Sequence, residues 1–420
     1  MKSKNNKRAD QVNRRKFLGM AGVAATAGWV TVPSWAAMPG HTTNAIATII
    51  ETKVICREPG KFLGDGSEYG IDTRMHPVIK KRVTEADRYM GWPTIGKTDK
   101  GELIVAFSGD RDAHVCPWGK TQIIRSLDQG KTWSVPETIT NTPLDDRDAG
   151  IIQTLKGTLL VSWFTSVAFT LPTYATAYER YARIAEKITP ETRKKWLGNW
   201  VRRSEDGGKT WQEPVSTVGS APHGPIQLKD GRLLYIGNGE LNGKPTMPIE
   251  ESKDDGKTWK VIADIKKPDA MAAAGTGLGE PHMVELASGK LLAMFRHERR
   301  DRQNFLMQSE SYDGGKTWTP LHDTGIWGFP PHLIQLKNGW LVVVYGYRRE
   351  PYGERACISR DEGKTWDVKN EVILTDAALG ADIGYPSSVQ LNDDSILTVY
   401  YQAEKPGGPT LLQSTHWRLS

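Results

Sequence analysis

The sequence predicts an all-β fold, a six-bladed β-propeller of four-stranded antiparallel blades. Three observations predict it. The first is a short motif in five copies: SLDQGKTW at 126–133, SEDGGKTW at 204–211, SKDDGKTW at 252–259, SYDGGKTW at 311–318 and SRDEGKTW at 359–366. Self-similarity at intervals of roughly 40–80 residues marks an array of like supersecondary units. The second is an apolar run, a turn and another apolar run, present in six places: 92–107, 150–164, 225–237, 282–295, 332–345 and 387–401. The third is bookkeeping of strands. The sixth unit lacks the motif and ends in TLLQSTHWRL (410–419), one strand short, while ATIIETKVICRE (47–58) belongs to no unit. Pairing the two completes the sixth blade, closes the ring and leaves no open sheet edge.

The elements follow in chain order. Asn13-Arg14-Arg15-Lys16-Phe17-Leu18-Gly19 precedes an apolar stretch from Met20 to Val32 and a small-residue segment, Ser34-Trp35-Ala36-Ala37. This resembles a twin-arginine export signal (1–37) cleaved near Ala36 or Ala37, followed by a linker at 38–46. The apolar run is too short and interrupted for a stable spanning helix. The expected partner of this segment is the twin-arginine machinery, and the expected location of the mature chain is periplasmic or extracellular. The propeller is expected over 47–420. Within each unit the order is strand, turn, strand, variable loop, third strand, motif turn, fourth strand. In the motif turn the Asp side chain bonds backbone N–H groups, Gly supplies positive φ and Trp packs on the sheet. These Asp residues are therefore turn staples. One insertion, 172–199 in the variable loop of unit two, has helical spacing, with Thr189-Pro190-Glu191 as a helix start; it is expected to wall the active face or to meet another subunit.

Composition narrows the function classes. Fifteen Trp, 42 Gly and 24 Pro fit short strands and tight turns. Lys2, Lys4, Lys7, Arg8, Arg14, Arg15 and Lys16 against Asp10 account for the whole formal charge of +6. The remainder is near neutral, which speaks against nucleic acid as a partner. Three cysteines, Cys56, Cys116 and Cys357, form no disulfide framework or metal-ligand spacing, and no metal or cofactor is expected.

The strand order sorts loops by face. The segment leading into each first strand and the loop after each second strand share one end of the propeller; the turns and motif copies share the other. Charged and aromatic residues gather at the first end. They include Asp110, Arg111, Asp112, Arg147, Asp148, His223, Glu280, His282, Arg296, His332, Arg348, Arg349, Tyr385 and Tyr401. His223, His282 and His332 stand at near-equivalent positions in successive units, where they either contact substrate or pack together.

The five motif copies resemble the Asp-box of the sialidase (neuraminidase) superfamily, six-bladed BNR-repeat propellers. The stretch from Glu280 through Leu291 to Arg296 resembles the blade in which these enzymes place a glutamate and a triad arginine. Tyr385 stands where the family's nucleophile enters its strand. The loop 108–117 lies where the family keeps its acid/base, so Asp110 and Asp112 are both candidates. The resemblance implies a Tyr385 nucleophile assisted by Glu280, an Asp acid/base, and arginines that hold a substrate carboxylate through a bidentate fork. Sialidases are the known Tyr-nucleophile exception among glycosidases. Arg296, Arg111, Arg147, Asp148, Trp92, His223, His282, His332, Arg348, Arg349 and Tyr401 are the expected substrate contacts.

The chain also departs from the family. Tyr89-Met90-Gly91-Trp92-Pro93 stands where the family has its first triad Arg ahead of Ile-Pro, Tyr401 replaces a late Glu, and Arg348, Arg349 and Arg355 compete as the third Arg. The implied function is an exported, exo-acting glycoside hydrolase cleaving a terminal acidic sugar, sialic acid or related, from glycans. The alternatives are a glycan-binding propeller without catalysis, and a glycosidase or lyase acting on a uronate-containing polysaccharide.

Overall fold

A computed structural model describes residues 46–57, 89–171, 184–266, 277–299, 301, 303–403, 405–406 and 408–420. The export signal and nearly all of the 38–46 linker lie outside them. The described strands form six antiparallel sheets. Blade one, for example, runs Tyr89–Lys97, Leu103–Arg111, Lys120–Ser126 and Glu137–Thr140 in spatial order. The first strand at 47–58 does close the ring: Ala47–Cys56 pairs antiparallel with Thr410–Leu419, from Ala47 opposite Leu419 to Cys56 opposite Leu412. It forms the outer strand of blade six.

Blade three is the one that exceeds four strands. Its second strand breaks at Gly237, and the chain continues as Asn238–Leu241, paired with Gly219–Ser220 and with the long strand Lys244–Ser252. A Cβ at Gly237 would sit 2.4 Å from the Ser220 backbone nitrogen, so only glycine allows this crossing.

The motif turns are hydrogen-bonded as their composition demands. In the first, Asp128 accepts from the Thr132 N–H at 2.9 Å and its hydroxyl at 2.6 Å, and the Ser126 hydroxyl donates to Asp128 at 2.8 Å. The Gly130 N–H donates to Ser126 Oγ at 2.9 Å, and the Trp133 indole N–H to Gly130 O at 3.1 Å. Each motif Trp then packs into the apolar layer between its own blade and the one before it: Trp133, Trp211, Trp259, Trp318 and Trp366. Blade six has no motif, and Trp417 of its third strand is buried in the corresponding layer against blade five.

In the insertion, Pro190–Trp196 is helical and Thr189 caps it, accepting from the Thr192 N–H at 3.2 Å. Ahead of it, Ile184, Ala185 and Ile188 pack on Val115, Trp118 and Phe169. The insertion thus braces the loop that follows blade one's second strand. No helix among the described residues is long and apolar enough to cross a membrane.

Candidate active site

Four blades begin their inner strand with the same irregularity. Pairing with the second strand skips two residues at Trp92-Pro93, Asp148-Ala149, Glu280-Pro281 and Tyr385-Pro386. The first residue of each pair has left-handed φ: 56° at Trp92, 51° at Asp148, 43° at Glu280 and 52° at Tyr385. Such a conformation is costly for a bulky side chain and persists only where its surroundings enforce it. The bulge re-aims a side chain that regular pleating would send elsewhere.

Two of these side chains meet. Tyr385 Oη donates to Glu280 Oε1 at 2.7 Å. Arg296, across the ladder from Gly279, donates to Glu280 Oε2 at 2.6 Å and lies 3.3 Å from Tyr385 Oη. Its other terminal nitrogen pairs with Glu298. Burial, then the Glu280 and Asp148 carboxylates, push the Tyr385 phenol well above its ordinary range, against Arg296 and Arg348. The resting phenol is therefore protonated, with its proton already directed at a base. Asn238, Glu280, Arg296 and Glu298 line a cavity of about 240 Å³ beside the pair.

Arg348 approaches from the other side. Its guanidinium stands 5.6 Å from the Tyr385 ring and 5.4 Å from that of Phe329, and Nε donates to Ile383 O at 2.9 Å. Its Nη2 is buried without a hydrogen-bond partner. Of its competitors, Arg349 is exposed and stacks on Trp327 and Tyr347. Arg355 is buried and bonded to the carbonyls of Glu354, Pro351 and Thr375.

Several expected contacts lie beneath the site. Trp92 is fully buried, with the Arg147 guanidinium 4.4 Å and that of Arg111 4.9 Å from its ring centre. Arg111, also fully buried, is committed to Asp145 by two bonds of 2.6 and 3.0 Å and to the carbonyls of Ala113, His114 and Asp146. Neither has the exposed surface needed to touch a substrate; both hold the blade-one loop in place. Tyr401 is buried too and donates to Asp382 at 3.1 Å. Of the two acid/base candidates, Asp110 is ion-paired with Lys120 and Asp112 is buried. Neither hydrogen-bonds to Glu280, Tyr385 or Arg296.

The three histidines do come together, as a buried floor. Ring centres of His282 and His332 are 4.3 Å apart and stacked, and His223 lies 5.7 and 4.9 Å from them. Nδ1 of His282 accepts from the Leu333 N–H at 3.0 Å, and Nδ1 of His332 from Ser388 N–H at 3.3 Å. Each therefore carries its neutral-form proton on Nε2. Burial lowers all three, His282 to about 3. Among the described residues no His, Cys, Asp or Glu group is arranged to hold a metal ion.

Sequence reading missed a second cluster at the rim. Asp382 accepts from Tyr89 Oη at 3.0 Å as well as from Tyr401, and His114 lies 3.2 Å from Tyr89 Oη and 3.3 Å from Arg147 Nη2. Glu298 falls on the same face by sequence but was given no role there. The signal for Glu298 was its alternation with Arg296 on one strand; Asp382 stands three residues before Tyr385 and gave none.

A family model described as "BNR repeat-like domain" matches residues 186–399, half of the chain. The chain belongs to the BNR repeat-like family. Its propeller is sialidase-like: a Bacteroides fragilis sialidase is 24% identical over 228 residues, which span 48% of this chain and 39% of that enzyme. The match thus covers about two fifths of the relative's length. A Dyadobacter fermentans protein of unknown function superposes on this BNR repeat-like propeller with a TM-score of 0.69 and 24% identity, covering 89% of this chain and 99% of that one. A Hadza microbial sialidase gives a TM-score of 0.54 at 17% identity, over 78% of this chain and 65% of that one. At these identities the superpositions establish the fold.

Proposed function

We propose that this chain is an exo-acting glycoside hydrolase with a tyrosine nucleophile, cleaving a terminal acidic sugar such as sialic acid. The observation that carries this reading is the 2.7 Å hydrogen bond from Tyr385 Oη to Glu280 Oε1. A phenol is a weak nucleophile at neutral pH, and a carboxylate positioned to take its proton is what activates it. Tyr385 Oη would attack the anomeric carbon as Glu280 takes the phenolic proton. Arg296, bonded to Glu280 and close to the phenol, would hold both in register and offset the charge on the carboxylate. The sialidase relative and the sialidase fold neighbour support a glycosidase over other chemistries.

The acidic substrate is supported by two guanidiniums that make no ion pair among the described residues: Arg348, with an orphaned Nη2, and Arg147, with an orphaned Nε. Buried donors of this kind favour an anionic ligand that satisfies them. The same reading takes 1–37 as an export signal and the mature enzyme as periplasmic or extracellular, which cell fractionation of an Arg14→Lys/Arg15→Lys variant tests.

The activity test is a screen of purified protein against aryl glycosides of sialic acid, glucuronic acid and rhamnose, beside Glu280→Gln. Release of aryl alcohol from an acidic glycoside, lost in Glu280→Gln, is the expected result. Binding of acidic oligosaccharide without turnover of any glycoside would leave the glycan-binding reading in its place.

A further inference from the structure

We propose that Asp148, at the bulge that opens blade two, is the general acid and base of this site. The proposal rests on the glycoside-hydrolase reading above and assigns a role that sequence resemblance had left to Asp110 or Asp112.

Geometry places Asp148 with the catalytic pair. It occupies in blade two the same two-residue register skip that Glu280 occupies in blade four and Tyr385 in blade six, with the same left-handed φ. Three ionisable side chains are thus delivered by one device from three blades. A fourth bulge residue, Trp92, backs them, its ring centre 6.3 Å from that of Tyr385. Asp148 is 8% exposed, and its Oδ1 is buried with no hydrogen-bond donor. An ionised carboxylate left so would forfeit its hydration without replacement, whereas a protonated one keeps a proton to give away.

The charges around it agree. Burial raises the Asp148 carboxyl to about 7; Arg147 and Arg111 oppose this, and Glu280 and Asp145 add to it. Tyr235, Tyr385 and Tyr401 face it as neutral phenols and feel its charge in return. Two carboxyls in one field, one ion-paired with Arg296 and the other raised by burial, are the split that separate base and acid roles require. Asp112 is as buried as Asp148, but it lies in the loop after blade one's second strand and not at a blade-opening bulge; the other aspartates nearby are engaged. An ammonium clamps Asp110, Asp145 holds Arg111, and Asp146 accepts from Thr142 and Trp163.

The step balances in both directions. Asp148 gives its proton to the glycosidic oxygen as the bond from that oxygen to the anomeric carbon breaks, and the aglycone leaves as an alcohol. Tyr385 Oη forms the new bond and its proton passes to Glu280. Water then adds to the anomeric carbon while Asp148, now a carboxylate, takes the proton from water. The bond to Tyr385 breaks, and the phenol recovers its proton from Glu280.

The test compares Asp148→Asn with wild type on one sugar carried by two aglycones, 4-nitrophenol and methanol. A nitrophenolate leaves without help; methoxide does not. The expected result is a loss of about 100-fold or more in kcat/KM for the methyl glycoside, the usual worth of a general acid, and a far smaller loss for the nitrophenyl one. Azide should restore turnover in Asp148→Asn and yield a glycosyl azide. Asp110→Asn should show no such dependence on the aglycone. An equal response of both substrates in Asp148→Asn, or the aglycone-dependent loss appearing in Asp110→Asn, overturns the proposal while leaving the hydrolase reading intact.

A second measurement needs no turnover. Carbon-13 NMR of the Asp carboxyls in the full chain should show the Asp148 signal, identified by its absence in Asp148→Asn, titrating near pH 7. Burial raises Asp146 to about 7 as well, and its signal should persist in that variant. A midpoint near 4 overturns the assignment whatever the activity. Failure of wild type on every glycoside would instead remove the hydrolase reading, and the acid/base role with it.

Discussion

Tyr385 and Glu280 stand 105 residues apart in the chain and share a 2.7 Å hydrogen bond. Each is the left-handed residue of its bulge and each is followed by proline. The proline fixes its own φ, while a following proline favours extended backbone at the residue before it, so the left-handed φ of each is enforced by the packing of its blade. The pair is preorganised by the blade starts, not by the variable loops around them.

That relationship predicts a separation of effects. Tyr385→Phe removes the oxygen proposed to attack and should lower kcat by about 1,000-fold or more, while glycan affinity stays within a few-fold. Glu280→Gln should cost about 100- to 10,000-fold in kcat, the range for a lost general base. Single-turnover kinetics with an isothermal binding titration checks both. An equal loss in affinity and in rate would show that the residues hold the sugar instead of reacting with it.

Arg111 was expected to touch substrate, and its surroundings predict a stability role. It is fully enclosed, bidentate to an equally enclosed Asp145. Removing one partner of a buried pair leaves the other charge uncompensated, typically at about 3–5 kcal/mol. Denaturant unfolding of Arg111→Ala should show a loss of that order. A stable Arg111→Ala protein with raised KM would reverse the assignment.

The histidine floor predicts a pH dependence of stability. The folded midpoints of His223, His282 and His332 are depressed, chiefly by burial. Their neutral forms are therefore favoured on folding. Their contribution is full above the unfolded midpoint of about 6.5 and is lost as pH falls toward the folded ones. At pH 5 unfolding should take up about three protons from this cluster, one per ring. Asp146 and Asp148, both raised by burial to about 7, release protons on unfolding over the same range. The histidine share is therefore read as the difference in slope of unfolding free energy against pH, between 6.5 and 4.5, from wild type to a variant lacking one ring. Replacing His332 by Gln should remove about one proton from the uptake.

How much of this was legible in sequence divides by range. The propeller, its closing strand and its motif turns were readable because each rests on local patterning: alternating apolar runs, a glycine at positive φ, an Asp two residues from a Ser. Even the Trp rule was half visible; that Trp417 stands in for the missing motif Trp needed the packing of blade five on blade six. That Glu280, Arg296 and Tyr385 would come together was readable from the resemblance. What the chain did not announce were properties that exist only across blades. Burial of Trp92 against two guanidiniums, pairing of Arg111 with Asp145, and the lack of any donor to Asp148 Oδ1 all follow from three-dimensional neighbours. Asp148 and Asp110 look alike in sequence, and only their surroundings separate them.

The motif turns should matter for stability and not for chemistry. Asp361 accepts from Ser359 at 2.8 Å and from Thr365 at 2.9 and 2.6 Å, and these donors hold its carboxyl below the ordinary range against partial burial. It lies after the third strand of its blade, at the end of the sheet opposite the bulges. Asp361→Ala should lower the melting temperature by a few degrees and leave kcat/KM unchanged. Full loss of turnover at an unchanged melting temperature would place the turn in the mechanism.

The last prediction concerns which arginine reads the substrate's charge. Arg296 is the family's expected contact, yet it is already bonded to Glu280 and Glu298, so two carboxylates offset its charge. Arg348 has no such partner among the described residues, keeps a buried orphaned Nη2, and stands over the ring of Tyr385. A ligand carboxylate beside the nucleophile would satisfy that donor, gaining a charge-assisted bond in place of a desolvated group. Arg348→Ala should therefore weaken binding of an acidic sugar by about 10- to 100-fold, and binding of its methyl ester hardly at all, since the ester carries no charge to read. Arg296→Ala should instead lower kcat for acid and ester alike, through the misplaced Glu280. Isothermal titration of both variants with the acid and the ester decides this. Equal affinity of wild type for acid and ester would show that no arginine reads a carboxylate, and would make a neutral sugar the substrate.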